Sequence, residues 1–337
     1  MISMKELAAA CGVSIATVSK ALNDQKDVSA KTKERIRKKA RELGYFPNSA
    51  AKALKTNRTY NIGVLFIDEA QSGLTHDYFA HILDSFKRKI EESGYDLTLF
   101  GGAGNFERPM TLLERTRYRG FDGVVIACID FSDPQVLELV NSDVPVVTID
   151  YIYNNRIAVM SDNVKGMRDL LQYVYRQGHR KIAYIHGADS SVTKSRISSF
   201  YTTASQLGLD IPEEYIREAA YRSTEEARQR TEELLSLQDP PTCILYPDDF
   251  AMIGGINAIR DRGMSIPDDI SIAGYDGLGI GRHMSPPFTS LWQDTDTIGK
   301  YAADKLIELI EHPRSTIIQP LIVEGSLIEG GTVKQLV

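Results

Sequence analysis

The segment "CGVSIATVSKALN", Cys11 to Asn23, joins a Gly turn to a short stretch of Ala, Ser, Thr and Val, and the basic run "KTKERIRKKAR" (31–41) follows closely. Upstream, Ser3-Met4-Lys5-Glu6 has capping-box spacing, which predicts a helix with Leu7, Ala8 and Cys11 on one apolar stripe. Gly12 stands where the chain must turn sharply, and Gly accepts positive φ at little cost. Ser14 can then cap a second helix with Val18 and Leu22 inward. Ser29 can cap a third, with Ile36, Ala40 and Leu43 inward, and "GYFPN" stops it. A helix, a tight Gly turn and a short helix with a small, polar outer face form a helix-turn-helix pattern. The second helix must enter a major groove about 12 Å wide, so small side chains near its start permit close approach. Ile15 and Ala16 would point at base edges and thymine methyls, while Thr17, Ser19 and Lys20 can reach bases or phosphates. An ordinary three-helix subdomain is the alternative, and the basic third helix argues against it.

Charge divides the chain in the same place. Residues 1–60 carry 13 Lys and Arg against 5 Asp and Glu, whereas the remainder carries 26 against 40. A basic head on an acidic body implies that only the head meets a polyanion. The 337-residue chain is 42 % hydrophobic and 25 % charged, as in ordinary globular proteins. No apolar run approaches the roughly 18–20 residues that span a bilayer, and the N-terminus lacks the apolar stretch of a secretory signal. No membrane association is therefore expected, and the expected location is the cytoplasm. Cys11, Cys128 and Cys243 are too few and too far apart for a disulfide framework or a zinc site, and are expected to be small buried residues.

From Tyr60 the texture changes. Apolar runs ("NIGVLFID", "YDLTLF", "GVVIACI", "VPVVTID") alternate with amphipathic helices, and the pattern restarts at "IAVMSD", "KIAYIHG", "TCILYPDD" and "DISIAGYD". Gly94, Gly178 and Gly263 sit where helices should end. Strands apolar throughout imply parallel sheets covered on both faces. The fold class expected is α/β: an all-α head followed by two lobes of doubly wound parallel sheet with a cleft between them.

In such sheets ligands bind just past the C-terminal ends of strands, and Asp68, Asp150, Asp248 and Asp276 all end predicted strands. Sugar hydroxyls both donate and accept, so carboxylates, amides and Arg suit them. A strand-end Asp can equally cap the helix that follows.

"MKELAAACGVSIATVSKALN", "LGYFPNSAAKALKTNRTYNIGVL" and "ISIAGYDG" resemble the lactose-repressor/galactose-repressor family of bacterial transcription regulators, and the resemblance runs to about Glu324. It implies a dimer with a helix-turn-helix head at 1–46, a hinge helix and linker at 47–59, and a core at 60–337 similar to periplasmic binding proteins. Within that core the N-lobe is expected at about 60–160 and 292–321, and the C-lobe at about 161–291 and 322–334. Together the residues and the resemblance give Ser14, Ile15, Ala16, Thr17, Ser19, Lys20 and Asn23 as DNA-facing in the head. In the hinge they give Asn48, Ala51, Lys52, Leu54 and Lys55, with Leu54 at the position that wedges into the minor groove. Lys20 and Lys52 replace a common Arg; Lys lacks the bidentate fork. Asp150, Arg196 and Asp276 match effector positions, Tyr78 and Phe79 match an aromatic pair at the cleft mouth, Asp68 is included as a strand-end carboxylate, and Asp248 departs from a frequent Asn.

The six His residues show no metal spacing, the Gly-rich stretches "FGGAGN" and "GYDGLGIG" lack a phosphate-cradling fingerprint, and no G-x-S-x-G occurs. Neither metal, cofactor nor enzyme activity is expected. Trp292 is expected in packing near a lobe crossover. The resulting expectation is a repressor of carbohydrate-utilisation genes that binds a pseudo-palindromic operator with a central CG step as a homodimer, controlled by a mono- or disaccharide. A cytoplasmic solute-binding protein, or a regulator answering to a purine or a phosphorylated metabolite, is the alternative.

Overall fold

A computed structural model describes residues 2–46, 53, 58–67, 73–101 and 109–336. The expected contacts of Asn48, Ala51, Lys52, Leu54, Lys55 and Asp68, and the "GAGN" stretch at 102–105, lie outside the described residues. The chain divides into two compact units, 1–60 and 61–337.

The first unit holds α1 (Met4–Cys11), α2 (Ile15–Leu22) and α3 (Ala30–Glu42). All three expected caps form: Ser3 with Glu6 as a complete capping box, Ser14 to the Thr17 N–H, and Ser29 to the Thr32 N–H. Gly12 takes φ +62, so its missing Cβ is what allows the turn between α1 and α2. Leu7, Ala8, Val18, Ala21, Ile36, Ala40 and Tyr45 are buried together. The inner face of α2 is thus Val18 and Ala21, not Val18 and Leu22. Ala21, one turn beyond Val18, fits the tight centre, and Leu22 packs only partly buried at its edge.

The second unit contains two six-stranded sheets. In the first lobe β1 (Asn61–Phe66), β2 (Asp96–Phe100), β3 (Gly123–Ala127), β4 (Val146–Ile149), β5 (Ile157–Ser161) and β11 (Leu321–Val323) lie in the order β2-β1-β3-β4-β5-β11. In the second, β6 (Ile182–His186), β7 (Ile216–Glu218), β8 (Cys243–Leu245), β9 (Ser271–Asp276), β10 (Ser290–Trp292) and β12 (Ser326–Ile328) lie in the order β7-β6-β8-β9-β10-β12. Every pairing is parallel except β10 with β12. The near-continuous burial of β3, β4, β8 and β9 is that of strands covered on both faces. Each lobe therefore repeats one doubly wound order, with its switch point between β1 and β3 or between β6 and β8, where ligands of such sheets bind.

Helices α4 (Asp77–Glu92), α5 (Leu112–Arg119) and α6 (Pro134–Val140) cover the first sheet, and α7 (Asn163–Arg176), α8 (Ser191–Gln206), α9 (Thr224–Leu235) and α10 (Asp249–Asp261) the second. The last helix, α11 (Thr295–Glu311), returns to the first lobe and packs on α4. A Cβ on its Gly299 would lie 2.4 Å from the Ile82 carbonyl, so the helices meet there only through glycine. The chain thus crosses between lobes after β5, after β10 and between β11 and β12. Val323 still pairs with Ser161 in the first sheet, so the last crossing falls at 324–325, beyond the expected 321/322. Gly94, Gly178 and Gly263 all take positive φ, as expected of helix ends. Cys243 is buried, but Cys11 and Cys128 are only partly so, because each sits at the end of an element instead of within it. Among the described residues no helix is long and apolar enough to cross a membrane, and no cluster of His, Cys, Asp or Glu could hold a metal ion.

Candidate functional site

On the head, α2 offers one exposed stripe. Ile15 is 48 % exposed, Ala16, Lys20 and Asn23 are exposed beside it, and Ser19 is partly covered. Ser14 and Thr17 are tied into the cap, with their hydroxyl oxygens 2.9 Å apart. Asn23 donates from Nδ2 to the Ser19 carbonyl at 2.8 Å. The Lys20 ammonium is ion-paired with Asp27, whose carboxyl it holds below the usual carboxylate range. The loop between α2 and α3 is pinned by Asp24, which accepts from Lys33 and Arg37 at 3.0 Å each and takes φ +58. An apolar, half-exposed Ile at the helix start, flanked by small and polar groups, can meet thymine methyls and phosphates alike.

In the second unit the strand-end carboxylates, which look alike in the sequence, differ in what their oxygens accept. Asp150 follows β4 with φ +59 and is buried. It accepts from Tyr78 Oη at 2.7 Å and from the Ser161 N–H at 3.3 Å; burial raises its pKa, while these donors and Arg196 pull it back. Asp248 is the N-cap of α10: it accepts from the Ala251 N–H at 2.7 Å and the Arg222 N–H at 2.8 Å. That is the capping role, which leaves neither Oδ free of a backbone partner. Asp276 ends β9 with φ +94. Its Oδ1 accepts from Gln293 Nε2 at 2.6 Å, and among the described residues no donor meets Oδ2. Burial first, opposed by Arg196 and reinforced by Asp248, pushes its carboxyl up to about 7.

Arg196, on α8, is 3 % exposed. Its Nε donates to Asn163 Oδ1 at 2.8 Å, its Nη1 to the Pro247 carbonyl at 2.9 Å, and its guanidinium lies 3.5 Å above the Tyr275 ring centroid. The Tyr221 ring centroid lies 6.0 Å from the guanidinium, with its hydroxyl 2.8 Å from that of Thr193. Tyr78 is buried against Asp150, and Phe79 is half-buried in edge contact with Phe66, His76 and Tyr78.

Among the described residues Ser191 and Arg222 join the lobes here. Ser191 Oγ donates to the Asp150 carbonyl at 3.1 Å. Arg222, in a left-handed conformation at φ +62 and packed on Phe250, donates to Asp77 Oδ2 at 2.9 Å and to the Thr75 carbonyl at 3.2 Å. Asp150, Arg196 and Asp276 are thus brought together as expected, and Asp248 supports them from behind. The sequence reading missed Gln293, Asn163, Tyr275 and Arg222. Among the described residues Gln293 Oε1 and Tyr275 Oη are buried with no hydrogen-bond partner, so each has capacity for a further polar group. The one available signal for Gln293 was its place directly after the crossing at Trp292.

Residues 3–48 match the family model described as bacterial regulatory proteins, lacI family, and residues 171–333 match a periplasmic binding protein-like domain. The HTH-type transcriptional repressor PurR of Vibrio atlanticus is 27 % identical over 98 % of the chain and 99 % of its own length. The probable HTH-type transcriptional repressor ExuR of Bacillus subtilis is 28 % identical over 94 % and 93 %. Among solved structures, the lac repressor dimer bound to operator and the anti-inducer ONPF superposes with a TM-score of 0.84 at 24 % identity, covering 99 % of both chains. The transcriptional regulator CelR in complex with cellobiose gives 0.70 at 24 % identity, covering 98 % of this chain and all of that one. These structural likenesses show a shared fold.

Proposed function

Because the chain belongs to the LacI family of bacterial regulatory proteins, DNA-binding transcriptional repressors with a ligand-binding core, we propose that it represses carbohydrate-utilisation genes as a homodimer on a pseudo-palindromic operator, released or engaged by a small sugar held between its lobes. No catalysis belongs to this reading. The observation that carries it is the buried Asp276 carboxylate, which feels the Arg196 guanidinium and is joined by Gln293, whose Oε1 has no partner among the described residues. Two acceptors near a cation suit vicinal hydroxyls, which donate to the carboxylate and amide oxygens and accept from the guanidinium. The exposed stripe of α2 supports DNA reading by Ile15, Ala16, Lys20 and Asn23. Lys52 and Lys55 in the hinge add phosphate contacts, and Leu54 the wedge, in the same reading.

A thermal-shift screen across ribose, cellobiose, other mono- and disaccharides and purines tests the effector. A ligand at 100 times its Kd stabilises by about 2.7 kcal/mol. A sugar should raise Tm in the wild type and not in Asp276→Asn. A shift given only by purines, or an equal sugar shift in Asp276→Asn, would overturn the assignment.

A further inference from the structure

Asp249 directly follows the cap residue Asp248, and both carboxylates are buried. Each receives a backbone N–H from a different left-handed turn: Asp248 from Arg222, and Asp249, through Oδ2, from Leu278 at 2.7 Å. Asp249 Oδ1 accepts from Ser290 Oγ at 2.6 Å, and that hydroxyl in turn accepts from the Gly277 N–H at 3.1 Å. The two backbone N–H groups after Asp276 are therefore held by a single carboxylate–hydroxyl pair. Asp276 and Gly277 take φ +94 and +67. A non-Gly residue in that region costs about 1–3 kcal/mol and persists only where its surroundings over-determine it. The pair is also seated without slack, since a Cβ on Gly274 would lie 2.1 Å from Asp249 Oδ1.

We propose that Asp249, acting through Ser290, is the positioning residue that fixes the Asp276 carboxylate in the orientation its ligand reads. This rests on the reading that Asp276 receives the effector. The sequence "PDD" thereby gives two adjacent carboxylates divided tasks, Asp248 setting the turn that presents Arg222 and Asp249 the turn that presents Asp276.

The chain's single Trp, Trp292, pairs with Asp276 across β9 and β10, and a Cβ on Gly277 would touch it at 2.6 Å. Its fluorescence in the full-length protein therefore reports the turn and the charge on Asp276 without any effector. Arg196, Asp248, Asp150 and Gln293 act on that carboxyl, and Asp249 is a further acidic neighbour that feels its charge. Wild-type emission should titrate with a midpoint near 7. Asp276→Asn should abolish this step. Ser290→Ala, which keeps the Asp249 carboxylate, should move it down by about one pH unit because a loosened turn admits water around Asp276, and Asp249→Asn, which also removes an acidic neighbour, should move it down at least as far. Both should also weaken binding of whichever probe, ribose or cellobiose, shifts the wild type. An overall loss of stability alone would lower Tm without moving the midpoint. If Asp249→Asn does not fold, Ser290→Ala carries the test. A wild-type midpoint in a folded Asp249→Asn or Ser290→Ala variant would overturn the positioning role. Unchanged sugar affinity in Asp276→Asn would instead overturn the reading of Asp276 itself.

Discussion

Replacing Arg196 by Ala should destabilise the core by about 4 kcal/mol, independently of any ligand. The side chain is 3 % exposed, and its removal leaves Asn163 Oδ1 and the Pro247 carbonyl without their donor. Each orphaned buried acceptor costs about 1–3 kcal/mol. The lost stacking of the guanidinium over Tyr275, at 3.5 Å from the centroid, adds about 2 kcal/mol for a desolvated pair. Water entering the vacated space offsets part of the sum. At about 2–4 °C per kcal/mol for a unit of this size, Tm should fall by about 10 °C. Arg196 also holds down the carboxyls of Asp276, Asp150 and Asp248. Without it those groups ionise at greater cost, so the loss should be larger at pH 8 than at pH 5. Thermal unfolding followed by Trp292 fluorescence at the two pH values measures both effects, with Arg196→Lys as an intermediate. A Tm within 2 °C of the wild type at both pH values would refute the reasoning. The consequence for effector work is direct: a lost response in Arg196→Ala reports packing as well as contact, and Asp276→Asn is the cleaner variant.

Asp276→Asn should change how stability depends on pH. The carboxyl sits near 7 in the fold and near 3.9 unfolded, so the native state binds more protons between these values and stability falls as pH rises through them. The Asn variant should lose that fall and gain about 2–4 kcal/mol on the wild type at pH 8 relative to pH 4; parallel urea-unfolding profiles would contradict it. Arg222 and Asp77 should couple by about 1 kcal/mol in a double-mutant cycle on sugar affinity, since the Arg is mostly covered and the Asp half-exposed. A coupling of zero would show that this contact does not help close the lobes. Lys20→Ala should cost about 1–3 kcal/mol on the preferred half-site and relax base choice at particular positions. Competition with substituted duplexes checks this, and a uniform loss would assign Lys20 to a phosphate.

The head was legible because its determinants are local. Ser3, Ser14, Ser29 and Gly12 act within four residues of the groups they satisfy, and all four do what their spacing predicts. The alternation of apolar strands and amphipathic helices likewise exposed both sheets and, with them, the strand ends. What the pattern could not separate was four similar aspartates. Asp248 and Asp276 stand at equivalent strand ends, yet one is saturated by Arg222 and Ala251 while the other, among the described residues, keeps an oxygen without a donor. That difference depends on partners up to 26 residues away in sequence, and the pairings of Asp249 with Ser290 and of Arg222 with Asp77 span 41 and 145 residues. Gln293 carried no motif, and only the fold brings its amide beside Asp276. Leu22 shows a local failure of the same kind, where the i+3 neighbour Ala21 filled the core position that the i+4 count gave to a larger residue.

The central claim, that operator affinity and effector binding are two ends of one equilibrium, is tested most directly by operator binding measured with and without effector. Fluorescence anisotropy on a labelled pseudo-palindromic duplex should give a Kd that rises steeply with salt, because Lys and Arg displace counterions from phosphates. Saturation with the sugar that gives the largest thermal shift should change that Kd by about 5–150-fold, in either direction. Operator DNA should change the sugar's Kd by the same factor. An operator Kd unaltered at saturating sugar, in a protein that still binds that sugar, would contradict the account.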